Sequence, residues 1–151
     1  LFPDETTNCF LINTFSFNAC KKKDDELTFP FRNTPNVTSV GLTTTQIRAW
    51  QDSIVFTIGY NDGDGDLGEN KEGIENLFIR DANTGVTTGF RIPQLAPDNS
   101  KIKIQGNIEV VLRSVGKLGV GNENTSFFVW VVDRAGNKSK ETESNKISVT
   151  D

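Results

Sequence analysis

At 151 residues the chain has room for one ordinary domain and a tail, against about 100 to 200 residues per domain. Apolar residues make up 35% and include eleven phenylalanines, so a core has to be built from few, large side chains, an inventory that suits sheets. A net charge of −4 and no basic face long enough to track phosphates argue against nucleic acid as a partner, and the absence of histidine removes the usual general base, zinc ligand and catalytic triad together.

Residues 9–19, Cys-Phe-Leu-Ile-Asn-Thr-Phe-Ser-Phe-Asn-Ala, form a short apolar stretch that ends in a small residue just before Cys20. It is too short to span a bilayer, which needs about 20 apolar residues, and it has the shape of a secretory signal. Leu1 to Asn8 include Asp4 and Glu5 and lack both an initiator methionine and a basic leader, so the start is expected to be truncated or misassigned. Cys9 and Cys20 are open to pairing as a disulfide or to standing as unrelated thiols. Phe17-Asn18-Ala19-Cys20 resembles a bacterial lipobox, with Phe17 where leucine is usual. That resemblance implies cleavage before Cys20 and acylation of its thiol. Cys20-Lys21-Lys22-Lys23-Asp24-Asp25-Glu26 resembles the lysine-then-acidic signal that follows the lipidated cysteine in surface-exposed lipoproteins of the Bacteroidetes, although such a run is a solvated linker in either case. The expected organisation is a signal-like segment over 1–19, a lipidated cysteine and charged linker over 20–34, and one domain over 35–151.

From Leu27 onward short β-rich runs alternate with glycine, asparagine and proline, and no window keeps a helical period. The runs are Asn36 to Leu42, Asp52 to Tyr60, Asn76 to Asp81, Gly89 to Ile92, Asn107 to Arg113, Ser126 to Asp133 and Lys146 to Thr150, with Thr45 to Trp50 as a further edge piece. Asp81 to Gly85 reads as a turn and Pro93 to Ser100 as a loop. Seven strands suit an all-β, immunoglobulin-like two-sheet antiparallel sandwich of about 100 residues. Alternation places Ile54, Phe56 and Ile58 on one face, Ile108, Val110 and Leu112 on another, and Phe128, Trp130 and Val132 on a third, with Trp130 expected in the core.

Between the second and third runs lies Asn61-Asp62-Gly63-Asp64-Gly65-Asp66-Leu67-Gly68-Glu69-Asn70. Glycines let the backbone curl, so that Asp62, Asp64 and Asp66 converge instead of alternating as in a strand. Like charges 4 Å apart at a protein surface repel by about 4 kcal/mol at an effective dielectric of about 20. A folded loop of this composition therefore binds a hard cation or stays open and solvated. The spacing resembles the D-x-D-x-D core of calcium loops. It departs from the EF-hand, with Leu67 at the sixth position, Glu69 at the eighth and Gly73 where the bidentate glutamate belongs. In an immunoglobulin-like order this is the B–C loop, and Asp133 to Ser139 is the F–G loop at the same end. Calcium takes six to eight oxygens, so Asp133 and Asn137 are candidates to complete a shell begun by Asp62, Asp64, Asp66 and Glu69; an ordinary turn is the competing reading of Asp133 to Asn137.

Val131-Val132-Asp133-Arg134-Ala135-Gly136-Asn137-Lys138-Ser139 resembles the strand and turn that close many bacterial immunoglobulin-like surface modules. With Tyr60 to Gly68 and Phe90-Arg91-Ile92-Pro93, it makes roughly residues 35–150 resemble an uncharacterised family of Bacteroidetes surface lipoproteins. The resemblance implies fold and an outer-membrane, cell-surface location, not an activity. The expected function is a non-enzymatic, lipid-anchored module stabilised by calcium and serving as a structural or accessory part of an outer-membrane assembly. The alternative is a glycan- or protein-binding module that uses exposed aromatics, Trp50 before Tyr60, although a core or edge-covering role is the plainer reading of Trp50. An enzyme would need a carboxylate pair or a metal-activated water, and the acidic residues sit where they would be consumed as ligands.

Overall fold

The structure, a computed structural model, describes residues 32–151. The signal-like segment, Cys20 and the linker up to residue 31 lie outside the described residues.

Among the described residues there are ten strands and no helix: β1 (Asn36–Leu42), β2 (Gln46–Arg48), β3 (Ile54–Asp62), β4 (Leu77–Asp81), β5 (Thr87–Phe90), β6 (Ile104–Leu112), β7 (Glu123–Thr125), β8 (Phe127–Val131), β9 (Thr142–Glu143) and β10 (Ile147–Thr150). They pair as β1-β3-β6, β5-β4-β8-β9 and β2-β10-β7, and every pairing is antiparallel except β2 with β10.

The last two groups form one layer broken by an irregularity. Strands β7 and β8 are separated by Ser126 alone, and the register against β9 and β10 slips where Phe127 N–H donates to Ser144 Oγ at 3.0 Å and Ser144 N–H donates to Phe127 O at 2.9 Å. A hydroxyl takes the place of a ladder carbonyl there, the local signature of a bulge. The order β1-β3-β6 against β5-β4-β8-β9 is the A-B-E and C′-C-F-G arrangement of an immunoglobulin-like sandwich. The expected all-β fold is what forms.

The core is set by β3. Its inward face carries Ile54, Phe56, Ile58 and Tyr60 at period two, all buried, against Leu77, Ile79, Phe127, Val129 and Val131 from the facing layer. Phe56 and Phe127 meet edge to face with ring centroids 5.1 Å apart.

Strand β8 faces the other way from expectation. Phe127, Val129 and Val131 are the buried set, while Phe128 and Trp130 lie half-buried on the outer face. Trp130 stacks on Phe78 at 5.4 Å with Lys138 Nζ 4.3 Å from its ring, and the Arg80 guanidinium covers Phe128 at 4.6 Å. Apolar residues occupy both faces of this strand, so alternation alone does not give its phase. Cations laid over the outer aromatics make that face tolerable in water.

The phase of β8 is testable on adjacent phenylalanines. Phe127→Ala should cost about 3–5 kcal/mol of unfolding free energy, as for a fully buried ring, and Phe128→Ala about 1 kcal/mol, the scale of a solvent-side cation–π contact. Urea denaturation of the two variants measures both, and equal losses would reverse the assignment.

Candidate metal centre

The inward period of β3 does not stop at Tyr60. Asp62 is the next inward residue and is fully buried, so a carboxylate stands at the end of the core where an apolar side chain would otherwise go. Its Oδ2 accepts the Leu67 N–H at 2.9 Å, and Leu67, itself fully buried, anchors the far side of the loop in the core.

Two glycines allow the intervening turn. Gly65 and Gly68 have φ of +76° and +88°, and a Cβ at either would overlap a backbone carbonyl, that of Ile102 or of Pro93. The loop is therefore pressed against the segment from Pro93 to Ile102 with no room for side chains at these points.

This packing brings one carboxylate oxygen each of Asp62, Asp64 and Asp66 to within 4.8 Å of one another. The Oδ1 atoms of all three are buried and, among the described residues, accept no hydrogen bond. An unpaired buried carboxylate is costly. Burial first, then the neighbouring charges of Asp133, Asp64 and Asp62, push the Asp66 carboxyl up to about 6. Burial, followed by the charge of Asp64, also raises Asp62, against the lowering effect of the Leu67 N–H. The three carboxylates thus concentrate negative charge at this end of the sandwich.

The loop after β8 meets the acidic loop at this end of the sandwich. Arg134 N–H donates to Asp66 O at 3.1 Å and Ala135 N–H donates to Asp66 Oδ2 at 3.2 Å. The other proposed ligands are differently engaged. Both Asp133 oxygens accept from Asn137, from its backbone N–H at 2.7 Å and its side-chain amide at 2.9 Å, so Asp133 and Asn137 close their own turn. Glu69 Oε1 accepts the Asn70 and Lys71 amides at 2.9 and 3.2 Å. The structure thus brings Asp62, Asp64 and Asp66 together, puts the Asp133 charge beside them, and leaves Glu69 and Asn137 in local turns.

Further residues take up roles at this end that no local sequence pattern assigns to them. The Arg134 guanidinium donates to the Gly68 carbonyl at 2.8 Å and lies 3.7 Å from Asp98, clamping the outside of the acidic loop without an ion pair to the three aspartates. Asp98 and Ser100 line a polar hollow of about 500 Å³ beside Asp64 and Asp66, and the Ser100 hydroxyl is buried and unpartnered among the described residues. Asn99 and Lys101 flank it with φ of 61° and 45°. The contacts join segments far apart in the chain, which no local pattern reports.

The aromatics divide. Tyr60 is buried in the core, and burial raises its hydroxyl, so it is not an exposed binding residue. Trp50 is 69% exposed and lies outside the core.

No protein-family model matches this chain, and comparison with characterised proteins and with solved structures gives no match either.

The raised Asp66 carboxyl fixes a pH signature for the metal-free protein. Its folded value, about 6, exceeds its ordinary value of 3.8, so the folded state binds more protons between the two and stability falls as pH rises through that window. Asp52, Asp151 and Glu141 are lowered by Lys or Arg partners, so their contributions are lost only as pH falls below their ordinary values, 3.8 for the aspartates and 4.5 for Glu141, and they do not oppose the effect above about pH 5. In chelator the melting temperature should drop as pH rises from about 5 through 6, and Asp66→Asn should reduce that drop, leaving the share of the raised Asp62; a melt that rises over this range in chelator contradicts the electrostatics described.

Proposed function

We propose that this chain is a non-enzymatic β-sandwich module stabilised by calcium at the loop between β3 and β4, held at the cell surface by a lipid on Cys20 and serving as a structural or accessory part of an outer-membrane assembly. One observation carries the metal reading: Asp62, Asp64 and Asp66 each bring a carboxylate oxygen to within 4.8 Å of the others, and each has a buried Oδ1 that accepts no hydrogen bond among the described residues. A solvated acidic turn would leave them in water. Asp62, Asp64 and Asp66 would hold the ion, with backbone carbonyls and water supplying the remaining oxygens of a six- to eightfold shell. An irregular, all-oxygen loop suits calcium better than magnesium, which demands near-octahedral geometry and keeps most of its water.

The location rests on Phe17-Asn18-Ala19-Cys20 and the charged run after it. Arg32, the first described residue, accepts the Gly63 N–H at 2.9 Å, so the chain enters the domain at the acidic-loop end. A tether at Cys20 would therefore approach the metal loop first, and ion binding would stiffen the end nearest the membrane. The non-enzymatic reading follows from carboxylates committed as ligands in a chain with no histidine.

Calcium that binds only the folded state adds RT ln(1 + [L]/Kd), about 2.7 kcal/mol at one hundred times Kd. For a domain of this size that is roughly 8–14 °C in melting temperature. The expected result is such a rise in millimolar calcium over chelator, a smaller one in magnesium, and none in Asp64→Asn. Superimposable melts of the parent chain in calcium and in chelator would sink the metal reading.

A further inference from the structure

The two layers of the sandwich do not close on the side where β5 and β6 stand. Each is the last strand of its sheet, and among the described residues no strand pairs with the outer edge of either. At nine residues β6 is a long edge, beyond the usual five or six, with a full row of backbone N–H and C=O groups turned outward. Its inward side chains, Ile104, Ile108, Val110 and Leu112, pack on the core yet remain half-exposed, because the opposite layer ends at β5 and does not cover them. Between the two edges opens a cavity of about 600 Å³, walled by Val86, Phe90, Val111 and Leu112 and floored by buried Ile79 and Val115.

The rim is strained. Trp50 has φ of 62°, a costly conformation for so bulky a residue, held by its N–H donating to Val115 O at 3.0 Å. Its ring lies across Gly116, where a Cβ would overlap it, and stays largely exposed at the cavity mouth beside Leu118.

We propose that the gap between β5 and β6 is a strand-addition site for an extended peptide segment of a partner protein, one with aliphatic residues at alternate positions and an acidic residue at the flank beside Arg113. An outward row of backbone donors and acceptors is matched along its length only by another extended backbone. An added strand beside β6 places alternate side chains over the half-exposed inward face and into the cavity. The walls formed by Val86, Phe90, Val111 and Leu112 suit aliphatic side chains, and the polar groups of the lining, Thr84 and Thr88 among them, remain for the backbone and flanks of the added segment. Arg113, just past the end of β6, lines the cavity in a chain of net charge −4, so an acidic residue at that flank is complementary. A second copy supplies none there: antiparallel pairing of two β6 edges about Asn107 sets Lys101 opposite Arg113. The other end of β6 abuts the acidic loop, where Ile104 pairs with Asp62, so the acidic flank of an added strand belongs at Arg113.

The test is selection of the full chain against a phage-displayed library of twelve-residue peptides, followed by hydrogen exchange of the chain with the strongest synthetic peptide. Enrichment of alternating aliphatic sequences with an acidic flank is expected, with slowed exchange of amides within residues 104–112. Val86→Lys and Val111→Lys, both at exposed positions, should each weaken that peptide tenfold or more with an unchanged melting temperature. No enriched pattern, protection confined to other strands, or affinity untouched by both lysine variants overturns the proposal. So does a dimer that protects residues 104–112 without peptide, since the edge would then belong to a second copy.

Discussion

A charge stands where a core side chain belongs. Period two along β3 runs Ile54, Phe56, Ile58, Tyr60 and then Asp62, and the packing that buries the first four buries the fifth. Two more carboxylates are folded back onto it by a loop whose glycines lie against neighbouring backbone. The order of that end of the sandwich, including the Arg134 clamp and the hollow beside Asp98, is built around this concentration of negative charge. Repulsion at such a point either loosens the loop or is met by a cation.

The opposite side is organised by another shortfall, of strands instead of charge. The three-stranded sheet projects β6 past the end of the facing layer, which leaves aliphatic residues half-covered and a backbone edge unpaired among the described residues. Acidic loop and open edge make different demands on the sandwich. On the proposed reading, the first concerns rigidity where the chain enters at Arg32, and the second concerns what the module would hold. A stiffened end and a receptive edge would be compatible properties of the proposed accessory component.

Much of the fold is legible in local pattern. The run Asn36 to Leu42 coincides with β1, and the other six candidate runs overlap β3, β4, β5, β6, β8 and β10, because turn residues punctuate them clearly. Strands β7 and β9 carry no local signal, since Glu123-Asn124-Thr125 and Thr142-Glu143 are polar and take their conformation from neighbours. The phase of β8 was not readable, as Phe-Phe-Val-Trp-Val is apolar on both faces and only cross-layer packing selects Phe127 over Phe128. At the site, Asp62, Asp64 and Asp66 were visible from their spacing with glycine. The turns that occupy Glu69 and Asn137, and the long-range clamp from Arg134, depend on chain path and left no local mark.

The central claim is that a single cation completes the acidic loop. Calorimetric titration of the metal-stripped full chain with calcium chloride at pH 7 tests it most directly. One ion per chain, with binding abolished by Asp62→Asn in a variant that still gives the all-β circular dichroism spectrum, is the result this account predicts. No heat of binding to a folded parent chain, or binding that persists undiminished in that variant, would contradict it.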